Sequence, residues 1–214
     1  MKFSLFLNQI GSGYFMKQYL RVLSFILILS VFPMAVFASP TDDQVIEQQT
    51  QIINENPENA VAYFKRGDAY WRNGQYDLAM ADENTAIEKK NDYAAAYVIR
   101  ADCYVKEKDY ESAIKDNTTA IEIQPKYGLA YLNRSIDYLV IGKYDLVIAD
   151  CDKTLELDPT LIRAYHIKGL SLEKMGKNDE AIASYKKIIE LGTSTDAKLI
   201  TDVKNRIITL GGNV

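Results

Sequence analysis

Small and apolar residues recur along most of the chain with a period of 34 positions. The stretch AYFKRGDAYWRNGQYDLAMADENTAI begins at Ala62, and AYVIRADCYVKEKDYESAIKDNTTAI begins at Ala96. Two further copies begin at Ala130 and Ala164. Within each copy, apolar and small residues are spaced by three or four positions, which is the spacing of one helix face. Each copy therefore predicts two amphipathic helices separated by a turn.

The repeated positions alternate between large aromatic and small side chains. A Tyr stands at positions 63, 97, 131 and 165, and a small residue follows four positions later in each copy. The turn positions are occupied by Gly74, Lys108, Gly142 and Gly176, and Gly ends a helix easily because it adopts the left-handed conformation. Small residues let paired helices approach closely, while the Tyr side chains fill the gap to the next pair. Because one pair cannot bury its apolar face alone, the pairs must stack.

The 34-residue period, with its fixed order of Tyr, small, Gly, Ala and Pro positions, resembles the tetratricopeptide repeat. The resemblance implies an all-α fold, a right-handed α-solenoid of helix-turn-helix pairs with terminal capping helices. The segments it implies are a capping helix or half-repeat at 39–59, four repeats at 60–93, 94–127, 128–161 and 162–195, and a C-terminal capping helix at 196–214.

Residues 1–38 differ from the rest of the chain because they contain no Asp or Glu. Lys17 and Arg21 precede a run of 16 almost entirely apolar residues, 22–37, which is short for a membrane span and typical of a signal peptide. The small residue Ala38 predicts cleavage before Ser39 and export, to the periplasm or outside the cell. A start at Met16 also leaves a complete signal peptide, and an uncleaved N-terminal anchor is the alternative.

Charge and composition argue against several classes of function. Removal of residues 1–38 takes away three basic residues and leaves 22 basic and 29 acidic ones, a net charge of −7. Such a chain has no general attraction to anionic membranes, and no polybasic run indicates nucleic-acid binding. His166 is the single His, and no pattern predicts a catalytic residue, a cofactor or a metal site. We therefore expect a protein that is not an enzyme.

One charged column also follows the repeat. Arg66, Arg100 and Arg134 precede the small residue of the first helix, and an Asp follows each Arg by sixteen positions, at 82, 116 and 150. The spacing predicts an Arg–Asp pair inside each of the first three copies, either as a half-buried tie between the helices or as a charged ligand clamp. The fourth copy has Lys168 and Ser184 and loses the pair.

The two cysteines are expected to remain reduced. Cys103 falls on a first helix of the second copy and Cys151 on a second helix of the third copy, so they belong to different layers of a stack. Two buried thiols are therefore favoured over a disulfide.

The resemblance also implies where a partner would bind, because first helices in this family line a concave groove that holds peptides. A protein or peptide partner is thus expected, with Trp71 as its anchor unless Trp71 packs on the N-terminal half-repeat. The groove positions are Phe64, Asp68, Trp71, Val98, Asp102, Val105, Leu132, Asn133, Ile136, Leu139, His166 and Leu170.

Two features refine this expectation. Some family members bind a C-terminal carboxylate through Lys and Asn, but Phe64 and Asp68 stand at those positions here, so this clamp is absent. The apolar strip of Leu132, Ile136, Leu139 and Val140 offers an alternative role as a homodimer face. A membrane-tethered assembly factor with an uncleaved N-terminus is the third hypothesis.

Overall fold

The structure is a computed structural model that describes residues 39–214, so the predicted signal peptide lies outside the described residues. Those residues form ten α-helices and one short 3₁₀ turn, with no strand among them. The helices are α1 (Asp42–Glu55), α2 (Ala60–Arg72), α3 (Tyr76–Lys89), α4 (Ala94–Glu107), α5 (Tyr110–Ile123), α6 (Gly128–Val140), α7 (Tyr144–Leu157), α8 (Ile162–Lys174), α9 (Asn178–Leu191) and α10 (Ala197–Thr209).

The helices pack as a one-dimensional stack. Each helix contacts the one before it and the one after it, and α2, α4, α6 and α8 also contact one another in sequence. Along 39–214 the second helices α3, α5, α7 and α9 make no such contacts with each other. The first helices therefore lie closer together and form the concave face, which confirms the predicted all-α solenoid. None of the helices described here is both long and apolar enough to cross a membrane.

Glycine at the small position of the first helix allows the closest helix contacts. A Cβ added at Gly169 would overlap the ring of Tyr185 on α9, and one at Gly67 would overlap the carboxyl group of Glu83 on α3. The side chain that faces this position is therefore directed across the first helix of its own repeat. Tyr185 fills that space with an aromatic ring, whereas Glu83 places an acid there.

The Arg–Asp pairs predicted from the sequence are present in the first three repeats. In each, the Arg Nε and Nη2 donate to the two carboxylate oxygens of the Asp at 2.7–2.8 Å. The Asp side chains are almost fully buried, and the geometry is the bidentate one that favours Arg over Lys. These pairs join the two helices of a repeat, as the sequence indicated.

Each of these arginines also reaches the preceding layer of the stack. The third donor, Nη1, binds Thr50, Asn84 or Thr118, which lies sixteen residues before the Arg on the preceding second helix, at 2.8–3.1 Å. One guanidinium therefore connects three helices. In the fourth repeat Lys168 has no acid within its own pair, but its ammonium donates to Asp152 at 2.5 Å, again sixteen residues earlier.

Both cysteine side chains are buried and unpaired, as expected. Burial raises the pKa of both Cys103 and Cys151 to about 12. A raised pKa keeps the thiols protonated and unreactive near neutral pH, because the thiolate is the nucleophile. They serve as small apolar side chains of the core.

Arg100→Ala tests the charged column. The substitution removes three hydrogen bonds and leaves the carboxylate of Asp116 buried without its countercharge, so the free energy of unfolding should fall by about 1–3 kcal/mol. Lys168→Ala is the matched control, and its partly exposed ion pair should contribute less than about 1 kcal/mol. Equal effects of the two substitutions in urea unfolding would contradict this role of the column.

Candidate functional site

The first helices α2, α4, α6 and α8, which form the concave face, carry all twelve of the predicted groove residues. Ten of them retain part of their surface accessible to solvent. They are Phe64, Asp68, Trp71, Asp102, Val105, Asn133, Ile136, Leu139, His166 and Leu170.

The prediction is wrong for the other two groove residues, Val98 and Leu132, because both are buried. Val98 has none of its surface exposed and packs among Ala94, Ala120 and Ala130. Leu132 is 4% exposed and belongs to a core cluster with Val147, Cys151, Ala164 and Ile167. Neighbouring first helices approach so closely that an aliphatic side chain at this position is enclosed between layers.

The same packing buries part of the predicted apolar strip. Ile136 and Leu139 are half-buried because they pack against the cluster that contains Leu132. Val140 is the member of the strip that is mostly exposed, at 54%. Residues 132–140 therefore lie partly in the core, and the apolar area that remains for the predicted homodimer face comes from Ile136, Leu139 and Val140.

Aromatic side chains line the N-terminal end of the concave face. The rings of Phe64 and Tyr93 lie 4.8 Å apart between centroids. Trp71, the single Trp of the chain, has the ammonium of Lys106 6.0 Å from its ring centroid, and this ammonium is also 5.1 Å from the ring of Tyr76. Trp71 thus faces the second repeat at this contact, and its ring interacts with a cation.

Carboxyl groups accompany these aromatic residues. Asp68 accepts a hydrogen bond from Arg72, whose guanidinium also binds Asp42 at 2.7 Å. Asp102 accepts one from the amide of Asn133 on the next first helix, at 3.0 Å. Burial raises the pKa of Asp102 to about 6, although positive charges on Lys106 and Arg163 act in the opposite direction.

A second buried acid lies one layer further along. Asp137 on α6 is 2% exposed and accepts a hydrogen bond from Asn117 on α5 at 3.1 Å. Burial raises its pKa to about 7, and the charge of Asp102 adds to the rise. The first helices of the second and third repeats therefore each carry a carboxyl group whose ionised form is disfavoured.

Glu83 is the most unusual of these acids. It is fully buried, and neither carboxyl oxygen has a hydrogen-bond partner within residues 39–214. Burial raises its pKa to about 10, and the charges on Asp82 and Asp68 add to this, while Arg100 opposes it. The indole Nε1 of Trp71 is likewise buried without an acceptor in the described residues.

The C-terminal end of the concave face is different because α10 packs against it. Arg206 on α10 donates to Glu173 on α8 at 2.9 Å, and the hydroxyl of Tyr185 donates to the same carboxylate at 2.8 Å. Burial and the charge of Arg206 lower the pKa of His166, while Asp202 opposes this. His166 is therefore neutral at pH 7, and its neighbourhood is already filled by a helix of the chain.

Sequence reasoning missed Glu83, Asp137 and the aromatic residue Tyr93. The helical pattern placed Glu83 in a column with Asn117, Cys151 and Tyr185, but position alone did not show that this column points across the first helix. Gly67 could have indicated this direction, because a residue without a Cβ leaves room for a large side chain from the facing helix. Within 39–214, no group of three or more His, Cys, Asp or Glu side chains is arranged to hold a metal ion.

Comparison with known families and structures gives consistent matches. Two models, both described as tetratricopeptide repeat, match residues 43–93 and 64–128 in one case and 162–191 in the other. The crystal structure of MamA is similar, with 27% identity, a TM-score of 0.67, and coverage of 73% of this chain and 91% of MamA. No curated protein matches the chain.

Two further solved structures share the fold at lower identity. YrrB, described as a protein with an unusual peptide-binding site, has 19% identity and a TM-score of 0.65 over 77% of this chain and 93% of YrrB. The first such domain of Spaghetti (RPAP3), bound to the HSP90 peptide SRMEEVD, has 21% identity and a TM-score of 0.54 over 55% of this chain and 93% of that domain. At these identities the similarity establishes the fold.

Glu83→Gln tests whether the buried acid destabilises the fold. An acid whose pKa is raised in the folded state contributes stability that is full below its unfolded value of about 4.5 and is lost as the pH rises towards about 10. Gln does not titrate, so the variant should be more stable than the parent by roughly 1–3 kcal/mol at pH 8, with little difference at pH 4.5.

The measurement is thermal or urea unfolding of both proteins between pH 4.5 and 9. Glu122→Gln, at an exposed position on α5, is the control and should show no comparable change with pH. A stability difference for Glu83→Gln that is constant across this range would contradict the assignment of a raised pKa to Glu83.

Proposed function

Because the chain belongs to the tetratricopeptide repeat family, we propose that it is an exported, non-enzymatic scaffold that binds a partner protein through its concave face. The partner segment is an extended peptide or a helix that lies along α2, α4 and α6. Repeat arrays use such faces because each layer adds a few side chains to a continuous surface.

The observation that carries this proposal is the mixed surface at the N-terminal half of the concave face. Phe64, Trp71 and Val105 supply apolar area, while Asp68 and Asp102 supply hydrogen-bond acceptors. Apolar and aromatic anchors with a few fixed polar groups are the usual composition of a peptide-binding groove. The C-terminal half is a weaker candidate because α10 packs against it.

The chemistry of this surface does not suit an acidic peptide end. The RPAP3 domain holds a peptide that ends in the acidic sequence EEVD. Here Phe64 and Asp68 occupy the positions that a carboxylate clamp would need as Lys and Asn, and buried acids lie nearby. An acidic peptide end would be repelled by this surface, so the scaffold is proposed to select a different class of peptide.

Export is the part of the proposal that depends on residues 1–38. Lys17 and Arg21, the apolar run at 22–37 and the small residue Ala38 support a cleavable signal peptide. Cleavage would release the repeat array as a protein without a membrane anchor, in the periplasm of a bacterium with two membranes or outside the cell.

Site-specific photo-crosslinking in the source cells tests the binding face. A benzoylphenylalanine at Val105 on the concave face should crosslink to a defined partner, whereas one at Lys115, exposed on α5, should not. Phe64→Ala should then weaken binding of the purified partner by about tenfold or more, and Glu122→Ala should leave it unchanged. A partner that crosslinks equally from both positions would contradict the assignment of the concave face.

The mature N-terminus tests export. The intact mass of the protein recovered from cells should correspond to a chain that begins at Ser39. A mass that retains residues 16–38 or 1–38 would overturn cleavage and favour the membrane-tethered alternative.

A further inference from the structure

The fully buried acid Glu83 occupies the position in its repeat that Tyr185 occupies in the fourth. Both face the Gly of their own first helix, and both point across that helix. The hydroxyl of Tyr185 emerges at Glu173, which is 2.8 Å away on the concave side of α8. The residue of the first repeat that corresponds to Glu173 is Trp71. By this equivalence, the side chain of Glu83 crosses Gly67 in the direction of the Trp71 position.

The two repeats differ in how far this side chain reaches. Glutamate is shorter than tyrosine, so it ends before the point at which Tyr185 finds its partner. The result is one buried carboxyl group and one buried indole N–H, each without a hydrogen-bond partner among the described residues. Buried polar groups are satisfied in the great majority of cases. Tyr185 and Glu173 satisfy each other in the fourth repeat, so the unsatisfied Glu83 and Trp71 at the equivalent positions of the first indicate that another group completes them.

The charges around Glu83 indicate which kind of group would supply its missing hydrogen bond. Asp68 and Asp102 lie on the same side of α2 and α4, and the charges on Asp82 and Asp68 disfavour ionisation of Glu83. Asp68 already has Arg72 and Asp102 has Asn133. Glu83 is thus the acid of this group that lacks a donor, within a negative potential that favours a cation.

An aromatic surface that attracts cations is adjacent. The ammonium of Lys106 lies over the rings of Trp71 and Tyr76, which shows that the face of this indole interacts with positive charge. The rings of Phe64 and Tyr93 lie 4.8 Å apart at a tilt of 47°, and the charge of Glu83 acts on the hydroxyl of Tyr93. Acidic and aromatic groups together form the usual environment for a Lys or Arg side chain.

We infer that Trp71 and Glu83 together form a subsite for a basic side chain, Arg or Lys, of the partner peptide. The inference rests on the proposed binding of a peptide to the concave face and adds the chemical class of one of its residues. The aliphatic part of the basic residue would pack on the ring of Trp71, and its charged end would donate to the carboxylate of Glu83. A peptide backbone carbonyl would accept the indole N–H.

A titration with small ligands tests the subsite directly. Trp71 is the single Trp, so its indole N–H gives one resolved ¹H–¹⁵N resonance that reports on this site alone. The ¹⁵N-labelled chain, as recovered from cells, is titrated with N-acetylarginine N-methylamide and with the citrulline analogue, which is nearly isosteric and neutral. The arginine ligand should shift the indole resonance, with at least about tenfold weaker binding of the citrulline ligand.

Two variants complete the test. Glu83→Gln should remove the preference for arginine, and because the substitution is expected to stabilise the fold, a loss of binding cannot be attributed to unfolding. Glu122→Gln removes the same charge at an exposed position and should leave the preference intact.

Three outcomes would overturn the subsite. Equal binding of arginine and citrulline ligands would show a neutral hydrogen-bonding pocket. Arginine binding unchanged by Glu83→Gln would leave Glu83 as a protonated, water-bridged structural residue. Absence of any shift up to about 50 mM ligand would exclude the site. In each case, crosslinking of a partner from Val105 would still support the proposed scaffold, so the two proposals fail separately.

Discussion

The structure depends on the fact that no helix pair can bury its apolar face alone. Ala69, Ala79 and Ala86 have no exposed surface in the first repeat, and the next layer is required to cover the faces they share. The same condition repeats at every layer and ends only where α1 and α10 close the stack. Val203 and Ile207 of α10 are fully buried against the last pair, which removes the apolar face that a fifth repeat would otherwise have to cover.

The charged column fits into this stack because it is placed where helices of two layers meet. A planar guanidinium can satisfy an Asp of its own repeat with two donors and a Thr or Asn of the preceding layer with a third. The carboxylates involved are nearly buried, so their contribution lies mainly in fixing which helix faces which. The Arg–Asp column and the acids Asp68, Asp102 and Glu83 are therefore different uses of charge. The first set is fully paired, and the second contains a carboxyl group that is not.

The fold could be predicted from the sequence because its signals are local and repeated. The 34-residue period, the Gly at the turns and the sixteen-residue Arg–Asp spacing each follow from the geometry of one helix pair. The candidate site could be predicted less well, because accessibility depends on the distance between layers. Val98 and Leu132 have the spacing of groove residues, but the first helices are close enough to enclose them. Glu83 was missed for the opposite reason, since its direction is visible only when the neighbouring Gly67 is seen to make room for it.

The replacement of Arg by Lys in the fourth repeat also has a mechanical consequence. A guanidinium fixed by three hydrogen bonds spans each of the first three junctions, whereas at the fourth the charged column supplies one contact, between the flexible end of Lys168 and the partly exposed Asp152. The charged column therefore constrains the junction between the third and fourth repeats least. Changes in superhelical pitch should concentrate at this junction. The stiff N-terminal half would then hold its inner face at a fixed curvature, while the C-terminal half could adjust to ligands of different length.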